Sequence, residues 1–192
     1  MKISVILGST RPNRQGERVA KWLMSQLNKD AQVNYELIDL KDYPLPFYNE
    51  TESPDKLKGN YSNDVAKQWA AKVNESDGFI LITPEYNHGV AAVIKNALDF
   101  VYDEWKNKPI SFVSYSNGLG AGIRAVEQLR LITNTLQMAP MQYAIHLPRV
   151  QDTIDESGNA LNSIINNGVE KLQNQLEWWA FALKKARDNQ VN

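Results

Sequence analysis

Three short segments carry most of the polar chemistry in this sequence. The first is Gly8-Ser9-Thr10-Arg11-Pro12-Asn13-Arg14-Gln15-Gly16. It lies between an apolar run and a helical pattern, so free backbone N–H groups and a positive helix dipole end meet small hydroxyls and two arginines. Such a cradle suits a phosphate. No Lys-Ser or Lys-Thr pair closes it, which disfavours a nucleoside-triphosphate loop, and its glycines lack the G-x-G-x-x-G spacing. Taken alone, the segment also reads as a polar helix cap with two surface arginines.

The second segment is Thr83-Pro84-Glu85-Tyr86-Asn87-His88-Gly89. Pro84 stiffens the backbone, Tyr86 offers a flat apolar face, and Asn87, His88 and the peptide groups offer donors and acceptors to the edge of a planar heterocycle. Singly, Glu85 and His88 read as surface groups. The third segment is Ser114-Tyr115-Ser116-Asn117-Gly118-Leu119-Gly120-Ala121-Gly122, whose glycines let backbone approach a ligand or simply make a turn.

The elements around these segments decide how they relate. Apolar runs predict strands over residues 3–7, 35–40, 78–83, 110–114 and 141–145. Between and after them, helical spacing appears at Val19, Leu23 and Leu27, then near residues 64–73, 90–101, 123–136 and 161–186. Strict alternation of five strands and five helices predicts one α/β domain over residues 1–192, a flavodoxin-like three-layer sandwich. In the flavodoxin-like arrangement the five-stranded parallel sheet takes the order 2-1-3-4-5, with helices on both faces. In that order strands one, three and four are neighbours, and ligands bind at the carboxyl-end crevice where the order reverses. The three segments then form one site.

Residues 43–60, rich in proline, form a long irregular stretch of the kind that is usually functional or interfacial. Residues 147–159 read as solvated surface. Trp178 and Trp179, at helical spacing with Leu172, Leu176 and Leu183, read as core or dimer packing rather than as a stacking platform.

Composition removes several classes of function. Lys+Arg 21 against Asp+Glu 22 leaves a formal charge of −1, with no basic excess for nucleic acid. No apolar run approaches the roughly 20 residues of a membrane span. The chain contains no cysteine, so disulfides, thiolate nucleophiles and soft-metal sites are excluded together. With two histidines and no supporting spacing, no metal site is expected. The start of the chain lacks the pattern of a secretory signal, and a cytoplasmic location is expected.

At these residues the sequence resembles the NADPH-dependent FMN reductase family, which includes quinone, azo-dye and chromate reductases. The resemblance rests on GSTRPNRQG, on TPEYNHG followed by Lys95-Asn96-Ala97-Leu98-Asp99, and on the glycine-rich loop leading to Arg124-Ala125-Val126-Glu127-Gln128-Leu129-Arg130. It implies FMN held at its phosphate by Ser9, Arg11, Arg14, Gln15 and Gly16. Pro84, Glu85, Tyr86 and Asn87 would lie beside the isoalloxazine, and Ser116 and Gly118 match a third contact. It also implies a homodimer, often a pair of dimers, with Tyr48 and its proline-rich loop, and Trp105, as candidates for closing the subunit boundary. Val90-Ala91 and Asn117 depart from the family pattern and bear on the shape of the substrate pocket.

The expected reaction is ping-pong: NADPH or NADH gives a hydride to flavin N5, and an electrophilic acceptor such as a quinone, azo compound, chromate or flavin then takes electrons. The cofactor carries the hard chemistry, so no dedicated catalytic side chain is singled out. Arg11 and Arg14 can serve either the FMN phosphate or the 2′-phosphate of NADPH. One rival is a flavodoxin-type electron carrier, disfavoured by the weak charge; another is an interaction or sensor protein that keeps the fold without flavin.

Overall fold

Ile3, Val5 and Leu7 are buried on one side of the first strand and Ile6 is buried on the other. A strand covered on both faces belongs inside a parallel sheet with helices above and below. The computed structural model describes residues 1–27 and 32–189. Its elements run β1 (Lys2–Leu7), α1 (Gly16–Gln26), β2 (Asn34–Asp39), α2 (Pro54–Leu57), α3 (Asp64–Asn74), β3 (Gly78–Tyr86), β4 (Gly89–Val90) and α4 (Ala92–Asp99). They continue with β5 (Pro109–Tyr115), α5 (Ile123–Thr135), β6 (Ala139–Pro140), β7 (Ile145–Leu147), α6 (Val150–Thr153) and α7 (Asn167–Asn189).

The sheet order is β2-β1-β3-β5-β6, with β7 also paired to β5. All of these pairings are parallel. The flavodoxin-like architecture is therefore present, with seven strands where the sequence predicts five. One extra strand is β4, which folds back antiparallel on the end of β3. The other arises because the fifth position, expected as one strand over residues 141–145, is split into β6 and β7. Between them Met141 N still donates to Ile110 O at 2.8 Å, and other backbone groups are satisfied by side chains. Arg130 donates to the carbonyls of Met141 and Gln142, Ser111 Oγ donates to Tyr143 O at 2.9 Å, and Tyr143 N donates to Gln175 Oε1 at 3.0 Å.

Side chains alternate across the sheet and divide the core in two. Toward α1 and α7 lie Val5, Ile80, Ile82 and Val113, packed with Trp22, Leu23, Leu172 and Leu176. Toward α3, α4 and α5 lie Ile6, Phe79, Leu81 and Phe112, packed with Trp69, Ile94, Val126 and Leu129. Helix α3 shows how locally this is specified. Asn63 caps it by accepting from Val65 N and Ala66 N, and Ala66, Trp69, Ala70 and Val73 then fall on its buried face.

Three sequence expectations change here. Residues 147–159 are not merely solvated surface, because Val150 and Ile154 are buried and Ile154 O accepts from Arg18 Nη1 at 2.9 Å. Trp178 is 66% exposed and Trp179 is 39% exposed, so the pair is not core. Their rings meet edge to face at 5.3 Å on the outer side of α7. Trp105 is 0% exposed, stacked edge-on against Phe79 and Trp69, with its indole N–H on Leu98 O. It cannot close a subunit boundary from there. Among the described residues no helix is long and apolar enough to cross a membrane.

Trp105→Ala is expected to cost about 3–5 kcal/mol of unfolding free energy, as for other large core truncations. Denaturant titration measures that loss, and size-exclusion chromatography of the variant is expected to show an unchanged oligomeric state.

Candidate functional site

The C-terminal ends of β1, β3 and β5 are adjacent, and three hydroxyls join them. Ser9 follows β1, Tyr86 ends β3 and Tyr115 ends β5. Ser9 Oγ lies 2.8 Å from the Tyr86 hydroxyl, and the Tyr115 hydroxyl lies near both. Burial, together with the nearby Tyr86, pushes the Tyr115 hydroxyl above the ordinary phenol range, so it stays neutral. Gly16 lies against the same cluster: a Cβ there would sit 2.7 Å from the Tyr115 hydroxyl oxygen and 2.7 Å from Leu7 Cδ1. Only glycine fits.

The first segment is held from below. Arg14 is buried and forks onto both oxygens of the Asp39 carboxylate at the end of β2, with Nη1–Oδ1 at 2.7 Å. The same guanidinium donates to Ser9 O and, at 3.1 Å, to Glu17 Oε1. The hydrogen bond to Asp39 holds Arg14 firmly charged. Burial opposes ionisation of Asp39, but Arg14 overrides it and leaves the carboxyl below its ordinary range. Arg11, by contrast, is exposed and makes no ion pair or hydrogen bond among the described residues. Helix α1 starts with no side-chain cap, which leaves backbone N–H groups of its first turn open.

The second segment is not a loose loop. Strand β3 continues through Tyr86, and β4 pairs back through Glu85 with Val90 and Tyr86 with Gly89. Asn87 and His88 form the two-residue turn between them, both at positive φ (49° and 65°), as a type I′ hairpin requires. Pro84 is buried in the strand. The Glu85 side chain, 8% exposed, points away from the Ser9 cluster to the start of α5. There it accepts from Arg124 N at 3.1 Å and pairs with Arg124 Nη1 at 2.8 Å. Gln128 completes this attachment: its Nε2 donates to His88 O at 2.9 Å and its Oε1 accepts from Val90 N at 3.3 Å.

In the third segment Ser116 Oγ donates to Gly118 O at 3.0 Å, and the Gly118 carbonyl also accepts from Arg149 N at 3.0 Å. A Cβ at Gly118 would meet nothing within 4 Å, so this turn faces open space. Behind it, Ser114 Oγ donates to Ala121 O at 2.7 Å and lies 2.7 Å from His146 Nδ1. A hydroxyl has one proton, so with Ala121 O taking it, His146 carries its hydrogen on Nδ1. Burial, then Arg130, lowers the His146 pKa.

Two hollows flank the first segment. One, of about 470 Å³, is bounded by Thr10, Arg11 and Tyr86 and extends toward Leu45, Phe47 and Val93. The other, about 370 Å³ and polar, runs past Arg14, Gln15, Arg18 and Lys21. The structure thus brings Ser9, Gly16 and Tyr86 together and puts Arg11 beside Tyr86. It commits Arg14 to Asp39 and Glu85 to α5, and puts Asn87 at the tip of an exposed turn. No described contact ties Ser116 or Gly118 to the other two segments; Tyr115 makes that link.

A model of the NADPH-dependent FMN reductase family matches residues 1–152. The chain belongs to this family. It is 39% identical over 159 residues to an NAD(P)H-dependent FMN reductase of Schizosaccharomyces pombe, covering 80% of this chain and 78% of the relative. It is also 30% identical over 176 residues to an NADPH azoreductase of a Bacillus species, covering 90% and 91%. The NAD(P)H:acceptor oxidoreductase FerB of Paracoccus denitrificans has the same fold, with a TM-score of 0.75 at 22% identity over 92% of this chain and 97% of that one.

Sequence reasoning quoted Tyr115 and Gln128 within its motifs without giving either a role, and it did not single out Asp39. Tyr115 was legible as the last residue of a strand entering a glycine-rich loop. Asp39 and Gln128 carry no local signal, because their partners are 25 and 40 residues away.

Asp39→Ala strands a buried guanidinium and is expected to cost on the order of 2 kcal/mol, with Arg14→Met restoring part of it in the double variant. Thermal unfolding of the three variants measures this. His146 contributes stability that is full above its unfolded pKa near 6.5 and declines as pH falls toward its lower folded value. Between pH 7 and pH 5 the wild type is therefore expected to lose more stability than His146→Gln, read as the change in Tm difference.

Proposed function

We propose that this chain is an FMN-dependent oxidoreductase that takes electrons from NADPH or NADH and passes them to an electrophilic acceptor such as a quinone, azo compound, chromate or flavin. The observation that carries this reading is the Ser9, Tyr86 and Tyr115 hydroxyl cluster, which draws the ends of three adjacent strands into one binding crevice. Such a crevice outside the carboxyl ends of a parallel sheet is where this architecture binds ligands.

The residues present fit FMN. The Gly16 position admits no side chain, the α1 N-terminus is uncapped, and Arg11 is an uncommitted cation beside it. Gln15 Oε1 is buried with no hydrogen-bond partner, an acceptor available to a ligand hydroxyl. Ser9, Arg11 and the first-turn N–H groups would hold the phosphate. Arg14 would act on it indirectly, by holding the Ser9 carbonyl in place. Pro84, Tyr86 and Asn87 would border the ring, with Glu85 anchoring their hairpin, and Ser116 and Gly118 would form the far wall.

When bound, FMN supplies the redox chemistry, accepting a hydride equivalent and releasing electrons singly or in pairs. The protein's own part is orientation: a neutral Tyr115, a rigid hairpin and fixed backbone dipoles keep reacting groups aligned and water out. We take residues 1–192 as one FMN-binding unit acting in the cytoplasm, as a homodimer or a pair of dimers. The exposed ridge of Trp178, Trp179 and Phe181 on α7 supports self-association.

Purified protein is expected to be yellow, to release about one FMN per chain, and to oxidise NAD(P)H rapidly with 1,4-benzoquinone. A yellow protein that does not oxidise NAD(P)H by itself would instead be a flavodoxin-type carrier. Gly16→Val is expected to keep its circular dichroism spectrum while losing most of its FMN. Light scattering reads the oligomeric state.

A further inference from the structure

The chain holds two Asn-Gly pairs, Asn117-Gly118 and Asn167-Gly168. This dipeptide carries chemistry of its own, because glycine has no Cβ to keep its backbone nitrogen away from the preceding side-chain amide. Both asparagines are exposed. Their backbones differ, and that decides which of them can react.

Asn167 opens α7 in the helical well (φ −60°, ψ −26°). Bringing the next peptide nitrogen onto its side-chain carbon means leaving that well and undoing the start of a 23-residue helix. Gly168 is also packed: a Cβ there would lie 3.0 Å from the Tyr143 hydroxyl oxygen.

Asn117 lies in the turn between β5 and α5, outside any helix or strand. Its side chain and the Gly118 N–H make no hydrogen bond among the described residues, and a Cβ on Gly118 would meet nothing within 4 Å. The two reacting groups are thus adjacent, uncommitted and free of neighbours that would stop them meeting. The Asn117 carbonyl, which shares its peptide with that nitrogen, accepts from Gln151 Nε2 at 3.4 Å. A donor there polarises the peptide and makes its N–H more acidic.

We propose that Asn117 is a self-modification site, deamidating through Gly118 and so loosening the flavin that this turn would border. Gly118 N attacks Asn117 Cγ: an N–Cγ bond forms, the Cγ–Nδ2 bond breaks, and the Gly118 proton leaves with the amide nitrogen as ammonia. Water then opens the succinimide at either carbonyl, giving aspartate or, with an added methylene in the main chain, isoaspartate. No oxidant, reductant or enzyme is needed. Either product puts a carboxylate where a neutral amide stood. The isoaspartyl form also displaces Gly118, whose carbonyl accepts from Ser116 Oγ and from Arg149 N at 3.0 Å each, and so slackens the turn. The reaction runs one way, so the turn records the age of the chain. Its effect on flavin rests on the reading of the chain as an FMN oxidoreductase; the deamidation does not.

The test ages purified protein at about pH 8 and about 37 °C and follows both asparagines by peptide mass mapping, a gain of about 1 Da marking conversion. Asn117 converts at least about tenfold faster than Asn167, and Gly118→Ala, which the open turn accommodates, slows it about tenfold. Flavin affinity is read separately, by quenching of FMN fluorescence. Aged wild type and Asn117→Asp bind FMN about fivefold more weakly than fresh wild type, whereas aged Asn117→Gln, whose longer side chain closes a ring far more slowly, matches its fresh sample. Equal rates at Asn117 and Asn167 overturn the inference, as does a rate unmoved by Gly118→Ala. So does complete conversion with FMN affinity unchanged. A fresh protein that fails to quench FMN fluorescence at all removes the functional reading itself, and the mass of the Asn117 peptide still reports the deamidation.

Discussion

The buried pairing of Arg14 with Asp39 holds the binding end of the molecule together. Asp39 ends the edge strand β2, and Arg14 lies in the turn after β1, so one bidentate contact ties the two strand ends to each other. The same guanidinium grips the Ser9 carbonyl, and Ser9 in turn meets Tyr86 and Tyr115. A planar fork with five donors is what permits this, because it satisfies a carboxylate and a backbone oxygen at once. The arginine is thereby a support beneath the first segment, and that segment's unpaired positive charge rests on Arg11.

The other two segments are made rigid by different means. The hairpin after β3 is fixed by a turn that needs two residues at positive φ and by two side chains of α5, Arg124 receiving Glu85 at the helix N-terminus and Gln128 reaching back from the second turn. The glycine-rich turn after β5 is stitched to the neighbouring segment through Ser116, Gly118 and Arg149. Each wall of the crevice is thus built on a separate helix or strand, and the crevice does not need a ligand to exist. Preorganisation of this kind lowers the ordering cost of binding.

How much of this was legible in the sequence depended on the range of the interaction. Strand β1 and helix α1 were plain, because Ile3 to Leu7 and Val19, Leu23 and Leu27 obey short periods. Strand and helix alternation implied a parallel sheet covered on both faces, and the strand order came with the flavodoxin-like arrangement. The end of β3 was read too early, at residue 83, because a proline and polar residues look like a loop; Pro84 needs no donor there and the hairpin partner β4 is two residues long. The break in the fifth strand and the burial of Trp105 depended on partners distant in sequence, Arg130, Ser111, Phe79 and Trp69. The three polar segments at strand ends were legible, whereas the pairing of Arg14 with Asp39 was not.

The five tryptophans fall into two optical classes. Trp22, Trp69 and Trp105 are sealed in the two halves of the core, whereas Trp178 and Trp179 stand on the outer surface of α7. The first three emit from an apolar environment, shielded from soluble quenchers, and the last two from a wet one. A single emission spectrum of this protein is therefore a sum of an interior signal and a surface signal. Iodide added to the native state separates them, so the melting of the core and the covering of α7 can be followed independently in one cuvette.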